Sequence, residues 1–220
     1  MPEMPPKSEF ETHEVTNQPE ALADPDLYGS DPFLQTHAVA RGVGVRHLKN
    51  VSKFYGLPAL REAALDARRD PPRLVTHDRH GRRLDEVHYN AAYHQILSAG
   101  VQAGYTNVAW TSKKGGHASH AAHVYLLTQV EPGCCCPLTM TNAAIPVLQD
   151  TSDAPKAWLK GLLSGEYDQS IEPAVKKRGL TLGMAMTEKQ GGSDVRRNAT
   201  NAQADGNHYR LRGHKWFCSA

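Results

Sequence analysis

Across Asp85 to Trp110 the residues Val87, Ala91, His94, Leu97, Val101, Tyr105 and Val108 recur three and four positions apart. That spacing keeps one stripe of a helix apolar and has no counterpart in a strand, so this stretch is expected to be helical and to bury one face. Ala118 to Gln129 repeats the pattern before Pro132-Gly133, and Pro137 to Leu148 and Pro155 to Leu163 follow it. Asp153 is the expected cap of the last segment and Gly165 its stop. Upstream, Asp31-Pro32 suits the cap and first turn of a helix containing Phe33, Leu34 and Val39. Val51 to Ala67 is a further helical candidate, interrupted by Gly56 and Pro58 and closed before Asp70-Pro71-Pro72. The first 165 residues are thus expected to be mostly helix.

Two regions break this pattern. Residues 1–30 are rich in Pro, Glu, Asp, Asn and Ser without periodicity and read as an extended arm. From Gly179 the chain becomes strand-like. Gly179 to Met186 is expected to deliver Thr187 into a turn-rich loop, and Ala199–Ala204 and His208–Arg212 around Asp205-Gly206-Asn207 read as a hairpin. Lys215 to Ser219 is expected to open another strand, and an apolar strand without a successor suggests the N-terminal part of something longer. The fold class expected is α+β. A helical domain over 31–178 is followed by the start of an antiparallel β-domain over 179–220.

Composition and motifs exclude several functions. No run approaches the roughly 18 apolar residues of a membrane span, and Met1 to Glu9 lacks the apolar core of a signal peptide. Three of the four cysteines are the consecutive Cys134, Cys135 and Cys136, which suits a reduced, cytoplasmic protein better than a disulfide framework. Lys and Arg total 25 against 23 Asp and Glu, a net charge of +2 that marks no nucleic-acid binder. Seven arginines between Arg61 and Arg83 are interleaved with Glu62, Asp66, Asp70 and Asp78 and read as a salt-bridged surface. Arg41-Gly-Val-Gly-Val-Arg-His47 has His47 where a dinucleotide fingerprint needs its third glycine. His117, His120 and His123 are spaced so that the outer two point about 120° apart on a helix, which favours packing over a metal site. Adjacent cysteine side chains diverge, so the three cysteines read as small buried residues, and no metal is expected.

The segment that speaks to function is Met184-Ala-Met-Thr-Glu-Lys-Gln-Gly-Gly-Ser-Asp194. Gly191 and Gly192 allow a ligand to approach the backbone, and exposed N–H groups with the Ser193 hydroxyl suit an anionic group. Taken alone, the same residues also suit an ordinary glycine-rich hairpin loop.

Together with Tyr209-Arg-Leu-Arg-Gly-His-Lys-Trp-Phe217, this segment resembles the signature of the acyl-CoA dehydrogenase family. Lys189-Gln190, with Asn107-Val-Ala-Trp110, Gln129-Val-Glu131, Cys136 to Thr141 and Lys177-Arg-Gly179, is similar to the family's AidB-like, alkylation-response branch. Other members carry Pro at the position of Lys189 and usually Thr at that of Ser219. The resemblance implies an N-terminal helical domain, a middle β-domain and a C-terminal helical bundle that this chain lacks. It implies FAD as cofactor, with Met184, Ala185, Met186, Thr187, Gly192, Ser193, Phe217, Cys218 and Ser219 as cofactor-binding positions. Thr187 would lie near the pyrimidine side of the flavin, Ser193 near the pyrophosphate, Phe217 on the ring and Ser219 near N5. The catalytic base would lie beyond Ala220, leaving Glu188 to fix the loop by hydrogen bonds, and the chain alone is expected to retain FAD poorly and to be inactive. A homotetramer, an acyl-CoA-like substrate and DNA contacts from an absent C-terminal region are implied as partners. The alternatives are a metabolic acyl-CoA dehydrogenase and a truncated product that only associates with other subunits.

Overall fold

A computed structural model describes residues 16, 17, 19, 26–151 and 155–218. Eight α-helices and two two-stranded antiparallel sheets are found among them. Helix α1, Pro32–Ala40, begins as its sequence demands: the Asp31 carboxylate accepts from the Leu34 N–H at 2.8 Å. The Val51–Ala67 candidate is two helices, α2 (Val45–Tyr55) and α3 (Pro58–Arg69), because Gly56 caps the first and Pro58 starts the second.

The helix expected to begin at Asp85 starts later. Strands β1 (Arg73–His77) and β2 (Arg83–His88) pair in antiparallel register, Leu74 opposite Val87. Helix α4 covers only Ala91–Gln102. Asn90 decides the boundary. Its side-chain oxygen accepts from the Tyr93 N–H at 2.7 Å, while its amide donates to the carbonyls of Asp66 and Asp70 at the end of α3. Gly104, at φ +95°, ends the periodic stretch before the short α5, Val108–Thr111.

Helices α6 (Gly116–Thr128), α7 (Cys135–Asp150) and α8 (Lys156–Leu163) stand where the periodicity placed them. Asp153 lies outside the described residues. The main core gathers Leu48, Tyr55, Ile96, Tyr105, Leu126, Leu127 and Leu138, each 1% exposed or less. A smaller cluster of Ala144, Ile145 and Leu162 takes in Leu180 and Leu182 from the chain beyond α8. Gly161 permits that approach, since a Cβ there would fall 2.6 Å from Leu180.

The three histidines of α6 pack and bond within the protein. His123 shares hydrogen bonds with Tyr55 (2.9 Å) and His47 (3.0 Å), the His120 ring donates to the Tyr105 carbonyl, and His117 meets Trp110 edge-on. Cys134 and Cys135 are buried as expected, but Cys136 is exposed. Four of the clustered arginines are ion-paired: Arg68 with Glu131, Arg69 with Asp66, Arg82 with Asp78 and Arg83 with Asp85. Among the described residues, no helix is long and apolar enough to cross a membrane.

Strands β3 (Asn201–Asp205) and β4 (His208–Arg212) form the expected hairpin, turning at Gly206 with φ +66°. The strands anticipated over Gly179–Met186 and from Lys215 are absent among the described residues. Isolated bridges of Glu188 with Gly191 and with Lys215 are found there instead of a ladder.

Candidate functional site

The chain reaches the glycine-rich loop along α7. The Leu182 N–H donates to the Thr141 hydroxyl at 3.2 Å and the Met184 N–H to the Met140 sulfur at 3.3 Å. A tight turn follows, in which the Gly191 N–H donates to the Glu188 carbonyl at 2.9 Å. Gly191 takes φ +134°, a conformation open essentially to glycine. Gly192 packs on Thr187 so closely that a Cβ would lie 2.8 Å from the Thr187 hydroxyl oxygen.

Glu188 holds this loop in shape. It is 3% exposed, and its carboxylate accepts from the backbone N–H groups of Ala199 (2.7 Å) and Thr200 (2.9 Å) and from the Lys215 ammonium (3.0 Å). The N–H groups of Thr200 and Ala199 and the ammonium hold the carboxyl well below the usual carboxylate range. The Asn198 amide donates to the Met186 carbonyl (2.8 Å), and the Trp216 N–H donates to the Thr187 carbonyl (2.9 Å). Residues 186–191, 198–200 and 215–216 thereby form one unit.

Thr187 and Gly192 are in contact, and Trp216 brings Phe217 beside that loop. Met184, Met186 and Phe217 are exposed at 46%, 52% and 77%. Ala185 is half-buried, Gly192, Ser193 and Cys218 are exposed, and Ser219 lies outside the described residues. Phe217 takes φ +54°, a left-handed conformation costing roughly 1–2 kcal/mol for a residue with a side chain. Among the described residues, the hydroxyls of Thr187 and Ser193 have no hydrogen-bond partner. Sequence reasoning anticipated the anchoring role of Glu188 but missed its partners Lys215, Ala199 and Thr200, and missed Met140 and Thr141 on α7. Lys215 stands inside the recognised signature, and Met140 and Thr141 inside the branch motif Cys136 to Thr141; nothing in spacing pointed to Ala199 or Thr200.

Comparison with known proteins places the chain. The sequence family described as "Adaptive response protein AidB N-terminal domain" matches residues 17–169. The chain belongs to the AidB family. It is 42% identical over 217 residues to the "Putative acyl-CoA dehydrogenase AidB" of Escherichia coli, covering 96% of this chain and 40% of that protein. It is 28% identical over 156 residues to "Acyl-CoA dehydrogenase family member 11" of Caenorhabditis elegans, across 69% of this chain and 25% of the relative. Among solved structures, the apo form of Bd2924 superposes with a TM-score of 0.74 at 25% identity, covering 89% of this chain and 40% of that one. The C. elegans protein ACDH-11, solved in complex with C11-CoA, superposes with a TM-score of 0.73 at 21% identity, across 95% of this chain and 36% of that one. The mostly helical architecture with short antiparallel strands is therefore that of the N-terminal part of an acyl-CoA dehydrogenase. The AidB-family chain spans less than half the length of these relatives.

Proposed function

We propose that this chain forms the flavin-facing part of an acyl-CoA dehydrogenase-like flavoprotein of the alkylation-damage response. The observation that carries the reading is the pairing of exposed apolar side chains with unpartnered polar groups on one fixed loop. Met184, Met186 and Phe217 offer apolar surface, while Thr187, Gly192 and Ser193 offer hydroxyls and a backbone unshielded by any Cβ. A planar ring with polar edges and a pyrophosphate tail fits that set. Thr187 would bond the polar ring edge, Ser193 and the Gly192 N–H the pyrophosphate, and Phe217 would cover the ring face. Ala185, Cys218 and Ser219 complete the proposed cofactor-binding set. The flavin, when bound, supplies the hydride acceptor.

Glu188 is not the base in this proposal. Its oxygens are engaged by two backbone N–H groups and an ammonium, and its low pKa leaves little affinity for a substrate proton. Because the chain covers 40% of the E. coli relative, the base and the remaining cofactor contacts are assigned to segments outside it, as is any DNA contact. The C11-CoA held by ACDH-11 supports an acyl thioester as the substrate class. A cytoplasmic homotetramer is the setting we propose.

The test is an FAD titration followed by quenching of flavin fluorescence, on the protein and on Thr187→Val and Phe217→Ala. We expect weak, saturable binding that Thr187→Val weakens about fivefold, the loss of one hydrogen bond. Superimposable curves for the three proteins would remove the assignment.

A further inference from the structure

A cavity lies between α4, the start of α7 and the irregular segment after α8. It has a volume of about 350 Å³. Its floor is apolar, made by Leu97, Leu138 and Leu182. One wall is aromatic: Tyr89 and Tyr93 stack with centroids 4.3 Å apart, and the ring of His94 stands edge-on to Tyr93 at 5.7 Å. Tyr167 closes the far side, sharing a 2.7 Å hydrogen bond with His94 Nδ1. Burial raises the Tyr167 phenol to about 12 and lowers His94, so both are neutral near pH 7. When the phenol donates to Nδ1, the imidazole hydrogen sits on Nε2, which has no partner among the described residues.

Two charged side chains line the cavity, and their situations differ. The Asp168 carboxylate is already occupied: it accepts from the N–H and hydroxyl of Ser170 and from the Arg178 N–H, at 2.6–3.2 Å, with the Arg178 guanidinium at 4.0 Å. Lys177 is half-buried; its ammonium helps to hold the Asp168 carboxyl low, but among the described residues it makes no direct ion pair or hydrogen bond. A cation beside apolar and aromatic walls, whose neighbouring acid takes its direct hydrogen bonds from Ser170 and Arg178 and meets the ammonium only at longer range, keeps its own donors unused.

We propose that this cavity binds a small aromatic carboxylate. The ring lies against Tyr93 and the leucine floor, and the carboxylate accepts from Lys177 and from His94 Nε2. The walls suit a flat hydrocarbon body, and charge-assisted hydrogen bonds from the ammonium and the imidazole would select an anion over its neutral isostere. The cavity lies off the glycine-rich loop, and the inference does not depend on flavin binding.

The test uses the full chain without added flavin, probed with 2-naphthoate and with its uncharged counterpart 2-naphthamide, by ligand fluorescence and by calorimetry. The acid is expected to bind saturably and at least roughly tenfold tighter than the amide. Lys177→Met should bring the two affinities together, whereas Lys177→Arg should preserve the preference. Far-UV circular dichroism establishes that each variant is folded, and the acid–amide comparison on the unaltered protein needs no variant. Absence of saturable binding, equal affinity for acid and amide, or a preference surviving Lys177→Met would each overturn the site. A failed flavin titration alongside selective naphthoate binding would reject only the flavoprotein reading.

Discussion

His123 lies 1% exposed in the core, between the hydroxyl of Tyr55 and the ring of His47. Burial, aided by His47 and His120, pushes its pKa from 6.5 down to about 3. The unfolded chain therefore takes up a proton that the folded chain refuses. Stability from this residue is complete above pH 6.5 and falls progressively between pH 6.5 and about 3, at about 1.4 kcal/mol per pH unit. His47, His94 and His120 are lowered in the same sense, so the whole protein is expected to lose stability on mild acidification. Replacing His123 by Gln should remove about one proton from that dependence. Urea midpoints measured from pH 7 to 4.5 would run parallel for the two proteins if the assignment were wrong. At this scale the sequence was partly readable. The helical spacing of His117, His120 and His123 argued for packing, but Tyr55 and His47 are long-range neighbours that no local pattern announces.

Among the elements, α6 is held against the α1–α2 turn by two glycines facing each other. Gly115 precedes α6 at φ +62°, and a Cβ there would meet the carbonyl of Gly42 at 2.7 Å. Backbone cannot swing aside as the tip of a side chain can, so Gly115→Ala combines left-handed strain with overpacking. We expect it to lower the unfolding free energy by about 2 kcal/mol or more. An unchanged urea midpoint would show that the turn yields. Elements with a buried stripe, α6, α7 and α8, were legible because apolar spacing records which face meets the core. The β3–β4 hairpin was legible from its turn chemistry. The β1–β2 ribbon was not, since solvent reaches both its faces: Leu74 and Val87 on one are 67% and 46% exposed, and Arg73 and His88 on the other are exposed as well. Without a buried face there is no alternation to read, and β2 was absorbed into the helical stripe that follows it.

On the scale of the whole molecule, the helical part encloses its own core, whereas β3–β4 leaves Tyr209 and Leu211 70% and 74% exposed. The glycine-rich loop between these regions keeps its form through the internal ion pair of Glu188 with Lys215 and two backbone N–H groups. The general position of the candidate site was visible in its signature residues, but this cross-linking of three separated stretches was not. Its consequence is kinetic. A loop already locked by its own carboxylate has no search to complete when a ligand arrives, so capture is governed by encounter and departure by the contacts made. Stopped-flow flavin quenching should then give single-exponential traces whose rate climbs in proportion to flavin concentration. With Glu188→Gln the same experiment should bend to a plateau, the ceiling set by how fast an unlatched loop finds its shape. A plateau already present in the unaltered protein would mean that the latch opens before anything can enter.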